Sequence, residues 1–177
     1  MNAGGTMDIL LQTPSAADAA ALSAMAGQSF TETFGHLYDP ADLAEFLKER
    51  AGAAGFAVRI ADPHHAIRYV AEEGRIIAYV GLGPLKLPVD QPEAGAVELQ
   101  QLYVLKPWQG SGIAHALMDW AIAYARGLKA PSIYLSVFSE NARAMRFYTR
   151  YGFSEVGRYG FQVGSQIDDD RIWRRAL

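Results

Sequence analysis

The segment of this chain that most constrains its fold runs from Leu102 to Ala114 and reads LYVLKPWQGSGIA. A strand-like run ends at Leu105, Gly110 and Gly112 follow in a tight turn, and a helical stripe begins. That stripe consists of Ile113, Leu117, Ala121, Ile122, Ala125 and Leu128, and it is stopped by Gly127 and Pro131. The first N–H groups of a helix have no internal partner and sit at the positive end of its dipole. Glycines placed before them let phosphate oxygens approach the backbone closely, which makes the turn a ready anion site. Ordinary helix entries also use glycine, so two glycines alone do not separate the two readings.

The rest of the chain supplies the sheet and helices around that turn. Asp8–Gln12 has the pattern of a short strand, and Pro14-Ser15 opens an alanine-rich helix to Met25, with Gly27 near its end. Phe30–Tyr38 (FTETFGHLY) is aromatic and polar and is broken by Gly35. Asp39-Pro40 starts a second helix, with Leu43, Phe46 and Leu47 at helical spacing, ending near Gly52. Ile67–Ala71 and Ile76–Leu82 flank Glu73-Gly74 as a hairpin. A loop with Pro84, Pro88 and Pro92 leads to a strand over Ala96–Leu105. Beyond the long helix come a strand over Ser132–Phe138, a helix over Asn141–Tyr151, and strands over Phe153–Val163 and Asp170–Arg174. The expected order is βααβββαβαββ, an α/β fold with helices against a sheet, in one domain over 1–177 with a flexible lead-in at residues 1–6.

Composition excludes several function classes. The 177 residues are half hydrophobic and one-fifth charged, as in ordinary globular proteins. A net charge of −3 without any basic stripe argues against a nucleic-acid binder. With no cysteine there is no disulfide, thiolate metal site or cysteine acyl-enzyme, and the chain suits a reducing, cytoplasmic setting. Met1–Pro14 lacks the basic start and apolar run of a secretory signal, and no stretch reaches the length of a membrane span. His36, His64, His65 and His115 form no metal-ligand spacing, so no metal is expected.

Two phosphate signatures fail at the glycine turn. No Lys-Ser/Thr follows Gly112 as a P-loop requires, and no third glycine stands where a dinucleotide fingerprint needs it. The segment Gln109-Gly110-Ser111-Gly112-Ile113-Ala114 instead resembles the (Q/R)xxGx(G/A) motif of the GCN5-related N-acetyltransferase (GNAT) family, directly after LYV and before a long helix. Asn141-Ala142-Arg143-Ala144-Met145-Arg146-Phe147-Tyr148, followed by Tyr151-Gly152-Phe153, looks like that family's NxxAxxFYxxxGF segment. The match covers Glu98–Phe153 closely and the remainder by element order. Ala114 stands at the last motif position, where the family permits it in place of glycine. More weakly, TETFGHLY, VELQQLYVLKPWQGSGIA and FQVGSQIDDD are similar to the PaiA-like polyamine acetyltransferase branch.

The resemblance implies a mixed, splayed sheet flanked by helices and a site for acetyl-coenzyme A. Gln109, Gly110, Gly112 and Ala114 would hold the pyrophosphate, with Ser111 and Ile113 contributing backbone only. The backbone of Leu102, Tyr103 and Val104 would pair with the pantetheine arm. Asn141 would bond that arm or, read from its position alone, cap the following helix. Tyr148 would donate a proton to the departing thiolate, although its spacing alone also suits a core aromatic. Glu98 would take the proton of an amine nucleophile, itself protonated near neutral pH; otherwise it is a solvated edge carboxylate or a salt-bridge partner. Glu32, Phe34, His36 and Tyr38 would line the acceptor pocket, or merely anchor a loop on the core.

Asp168-Asp169-Asp170 suggests a metal or polyamine site, but three consecutive carboxylates on a strand cannot all face one way, so it reads as a solvated turn. Arg143 and Arg146 could meet the nucleotide's phosphates but read as ordinary surface charges. The function expected is direct acetyl transfer from acetyl-coenzyme A to a primary amine, a polyamine or other small cationic amine, through a ternary complex. The alternatives are a non-catalytic acetyl-coenzyme A-binding module and an acetyltransferase for a protein amine. A small-molecule amine is the expected partner, nucleic acid and membrane are not, and a homodimer is left open.

Overall fold

The structure is a computed structural model that describes residues 8–177. The lead-in expected at residues 1–6 lies outside them. The elements are α1 (Ala19–Phe34), α2 (Pro40–Arg50), α3 (Ala53–Ala61), β1 (Ala66–Glu72), β2 (Arg75–Pro84) and β3 (Val97–Val104). They continue as α4 (Ile113–Gly127), β4 (Ser132–Phe138), α5 (Ala142–Arg150), β5 (Ser154–Val163) and β6 (Gln166–Ala176). The six strands form one mixed sheet in the order β1-β2-β3-β4-β6-β5, as the α/β reading requires.

Four local expectations are corrected. Asp8–Gln12 is no strand: it makes a single bridge, Gln12 to Tyr69. The first helix does not stop at Gly27 but continues to Phe34. An interior glycine costs roughly 1 kcal/mol of helix propensity, and burial of Met25, Ala26 and Phe30 on either side outweighs that. Ala53–Ala61 forms a helix that Gly52 and Gly55 had hidden, fixed by Phe56 buried in the core. The last strand begins at Gln166, not Asp170, so the three aspartates lie within β6 and not in a turn. The Glu73-Gly74 hairpin is as expected, with both residues at positive φ and Glu72 opposite Arg75.

Two apolar clusters hold the sheet. Val80, Leu82, Leu99, Leu117, Ile133 and Leu135 pack beneath α4. Leu22, Phe56, Tyr79 and Leu105 form the second cluster, beneath α1 and α3. Two features of β3 then shape the site. It pairs in parallel with β4 only at Val97–Ile133 and Glu98–Tyr134, after which the strands part. Against β2 its register shifts, with Leu99 opposite Leu82 and Gln101 opposite Gly81, so Gln100 is an extra residue. Such a bulge changes which side chains share a face. Leu99 and Leu102 accordingly enter the same cluster, where strict alternation would have separated them.

Candidate active site

Where β3 and β4 part, a cleft of about 670 Å³ opens. One flank is the glycine turn. Gly110 and Gly112 have φ of 88° and 91°, a region that other residues rarely adopt. Gly112 is the N-cap of α4, and its carbonyl accepts the Ala116 N–H at 3.1 Å. The N–H groups of Ile113, Ala114 and His115 therefore stand outside the helix ladder. A side chain at Gly110 would meet nothing within 4 Å, and at Gly112 only Ile9 Cδ1 at 3.7 Å, so open space faces the turn. Gln109 donates through Nε2 to the Val104 carbonyl at 2.9 Å and accepts from Arg143, which ties the turn to β3 and α5. The Ser111 hydroxyl and N–H both donate back to the Trp108 carbonyl, at 2.6 and 3.3 Å, and the Ile113 side chain is fully buried, so of these two residues only the Ile113 N–H is left without a partner in the turn.

The floor is β3 from Leu99 to Val104, whose edge toward β4 has no strand partner after Glu98. The next wall is α5. Asn141 caps it, its Oδ1 accepting the Ala144 N–H at 3.2 Å, so the capping role is realised while the residue also lines the cleft. Tyr148 lines the cleft from the second turn of α5, with Phe147 and Phe153 edge-on at 5.6 and 5.8 Å. Burial, with Tyr103 adding to it, pushes its phenol pKa well above the usual range and keeps the proton on the oxygen.

The opposite half of the cleft is aromatic and acidic. Phe30 stacks on Tyr38 at 6.0 Å, and Phe34 meets Phe138 edge-on at 6.1 Å. Glu32 and His36 also line this half, with Glu32 accepting Gln28 Nε2 at 2.7 Å and the Lys106 N–H at 3.3 Å. Asp168 and Asp170 close it, only 8% and 7% exposed. The Tyr38 hydroxyl donates to Asp168 Oδ2, and Gln166 Nε2 donates to Oδ1 at 2.7 Å. Burial, then the charges of Asp168 and Asp169, raise Asp170 to about 7, against a hydrogen bond from Ser136. Asp169 points the other way and pairs with Arg171 at 2.7 Å. The reading of a solvated turn is therefore wrong: three neighbours on a strand cannot share a face, but two at i and i+2 do.

Glu98 is not brought into this group. It precedes the bulge, and its carboxylate accepts the N–H groups of Lys86 and Leu87 at 2.8 and 3.2 Å, away from the cleft. Burial raises its pKa and those two donors oppose the rise. Arg143, read as a surface charge, lines the cleft beside Gln109.

The turn, with its free amides and open space, and the adjoining unpaired strand edge suit a long, extended molecule carrying phosphates at one end. A family model for the acetyltransferase (GNAT) family matches residues 24–153, most of the chain. The chain belongs to that family. It is 33% identical over 160 residues to an uncharacterized N-acetyltransferase of Mycobacterium tuberculosis strain H37Rv, covering 90% of this chain and 98% of that one. Over 90 residues it is 29% identical to the spermine/spermidine N(1)-acetyltransferase of Bacillus subtilis strain 168, half of this chain and 59% of that one. Among solved structures, the PaiA N-acetyltransferase of Thermoplasma acidophilum in complex with coenzyme A superposes with a TM-score of 0.78. That match is 18% identical and covers 97% of this chain and all of that one, so it speaks to the fold. This GNAT protein is an N-acetyltransferase with acetyl-coenzyme A as its co-substrate. Among the described residues no group of three or more His, Asp or Glu side chains could hold a metal, and no helix is long and apolar enough to cross a membrane.

Proposed function

We propose that the acceptor is a small primary amine with more than one positive charge, of the polyamine class, acetylated directly in a ternary complex. The observation that carries this is the buried Asp168–Asp170 pair at the end of an aromatic-walled half-cleft, without a salt-bridge partner among the described residues. Buried carboxylates are costly unless a cation compensates them, and an ammonium group also gains from aromatic faces. The chain's likeness to a spermine/spermidine acetyltransferase supports the same class. Walls from α1 and the Gly35–Tyr38 segment favour a small molecule over a protein amine.

In this reading the amides of Gly110, Gly112, Ile113 and Ala114 hold the pyrophosphate of the co-substrate, with Gln109 fixing the turn. The backbone of Leu102–Val104 pairs with the pantetheine arm, and Asn141 lends it the amide N–H groups left over from capping. Acetyl-coenzyme A supplies an acetyl group as a thioester, activated toward amines. The Tyr148 hydroxyl gives a proton to the leaving sulfur. A free phenol has a pKa of about 10 and a thiol about 8.5, so this transfer is uphill and depends on positioning. No cysteine exists to carry the acyl group, which agrees with direct transfer.

The test is calorimetric titration with acetyl-coenzyme A, followed by a screen of amines for turnover. Tight binding that is lost in Gly112→Asp, where a carboxylate would replace the anion's approach, supports the glycine turn. Spermidine-like acceptors should then outperform monoamines and N-terminal peptides. Binding without turnover on any amine would instead favour a regulatory module, and a preference for peptides would favour a protein acceptor.

A further inference from the structure

We propose that Asp170 is the general base that deprotonates the acceptor's ammonium, while Asp168, locked by Tyr38 and Gln166, is the fixed anion that holds that ammonium in place. This deepens the proposed function and rests on it. The two carboxylates stand at i and i+2 on the same face of β6, yet their surroundings differ. Both oxygens of Asp168 are taken by donors, the Tyr38 hydroxyl and the Gln166 amide. Among the described residues Asp170 has no salt-bridge partner and its carboxylate accepts no backbone N–H, only the Ser136 hydroxyl beside it, and it is 7% exposed and lines the cleft. Each oxygen of Asp168 keeps a second lone pair that can hold an ammonium, but its first is committed to a fixed donor, whereas Asp170 accepts only from Ser136 and is the freer of the two to take a proton. It sits opposite Phe138 in the β4–β6 register, one strand from the split where β3 and β4 diverge.

The groups around it favour this division. From β6 come Asp168 on the same face, and Asp169 and Arg171, which pair with each other on the other. From β3 comes the Tyr103 phenol, itself raised to about 12 by burial and then by Asp170, and so protonated. From α1 and its following turn come Glu32, His36 and Tyr38 along the same cavity. Burial and the adjacent negative charge place Asp170 near neutrality, where a base both accepts a proton and returns it. Two carboxylates driven apart by their environments are a recurrent way of dividing such roles. Glu98, the acid expected from sequence, has its carboxylate engaged by the loop at Lys86 and Leu87 instead.

The ammonium gives one proton to an Asp170 oxygen, and the freed lone pair forms the bond to the acetyl carbonyl carbon. As the carbon–sulfur bond breaks, the second proton shed by nitrogen reaches the sulfur by way of the Tyr148 hydroxyl. Asp170 releases its proton to water when the products leave, so one amide, one thiol and one solvent proton result.

Asp170→Asn tests this on the full chain. The variant should bind acetyl-coenzyme A as wild type does in calorimetry, and should acetylate a polyamine about 100-fold more slowly. The acidic limb of the kcat/KM–pH profile, centred near 7 in wild type, should disappear. A polyamine analogue ending in an alkoxyamine, neutral at pH 7 but keeping its distal ammonium, should restore the variant to within a few-fold of wild type. Asp168→Asn should mainly raise KM and move the acidic limb to lower pH. An unchanged limb in Asp170→Asn, or equal losses on the protonated and neutral nucleophiles, overturns the base role while leaving the acetyltransferase reading intact. A wild-type protein that binds acetyl-coenzyme A and acetylates no amine overturns both.

Discussion

Asp168, Asp169 and Asp170 are chemically identical, and the pleat of β6 alone decides what each can do. Asp169 meets solvent and Arg171, while its two neighbours are carried into an aromatic cavity. The sequence hid this because the usual cue is inverted: Ile167 is 66% exposed while the aspartates beside it are buried, so hydrophobic alternation points to the wrong face. Glu98 illustrates the reverse. Its type and place before LYV suit a base, but the bulge at Gln100 and the loop amides decide otherwise. Glu98→Ala should therefore leave kcat within about twofold and cost about 1–2 kcal/mol by stranding two N–H groups, read from the urea midpoint. A large loss of kcat would restore it as a catalytic group. The motif points to Tyr148, which lines the cleft, and burial keeps its proton in place. Tyr148→Phe should lower kcat by about 10²-fold with acetyl-coenzyme A affinity unchanged by calorimetry; equal turnover would remove its role as donor.

At the level of elements, the strand–turn–helix unit was the part most readable in sequence, since glycines at Gly110 and Gly112 and a long apolar stripe leave few other conformations. α3 was not readable. Its helix rests on one buried anchor, Phe56, which no local pattern announces. The extension of α1 to Phe34 was missed for the same reason, because tertiary burial of Phe30 overrides the glycine penalty. The start of α5 gives a clean separation of two roles. Asparagine and aspartate cap equally well, whereas alanine does not. Asn141→Asp should keep thermal stability near wild type and Asn141→Ala should lose about 1 kcal/mol, while both weaken acetyl-coenzyme A through loss of the amide donor. If the aspartate variant binds normally, Asn141 is a cap and nothing more.

For the whole molecule, the buried acid at the sheet's split makes stability depend on pH. Asp170 titrates near 7 in the folded state and near 3.9 in an unfolded chain. Between those values the folded protein binds the extra proton, so its contribution is present below about 4 and is lost as pH rises through about 7. Wild type should lose stability relative to Asp170→Asn between about pH 4 and 7 in urea melts, with the difference levelling off above that, and parallel curves would contradict the shift. The overall architecture was legible because strand and helix periods alternate along the second half of the chain. The divergence of β3 from β4 was not, since a sequence does not state how many rungs a ladder has. With only two residue pairs joining them, three strands on each side behave as leaves bound at one end. The core beneath α4 keeps the leaves together on one face, while the inner margin of β3 is an edge in mid-sheet. Edges of this kind ordinarily recruit other chains, but this one is recessed where only a slender guest can reach. A guest with amides along its arm would serve as the missing rungs, so those amide hydrogens of Leu99–Val104 that face the β4 side would exchange slowly when it is bound and faster when it leaves, while those bonded to β2 would stay protected in both states.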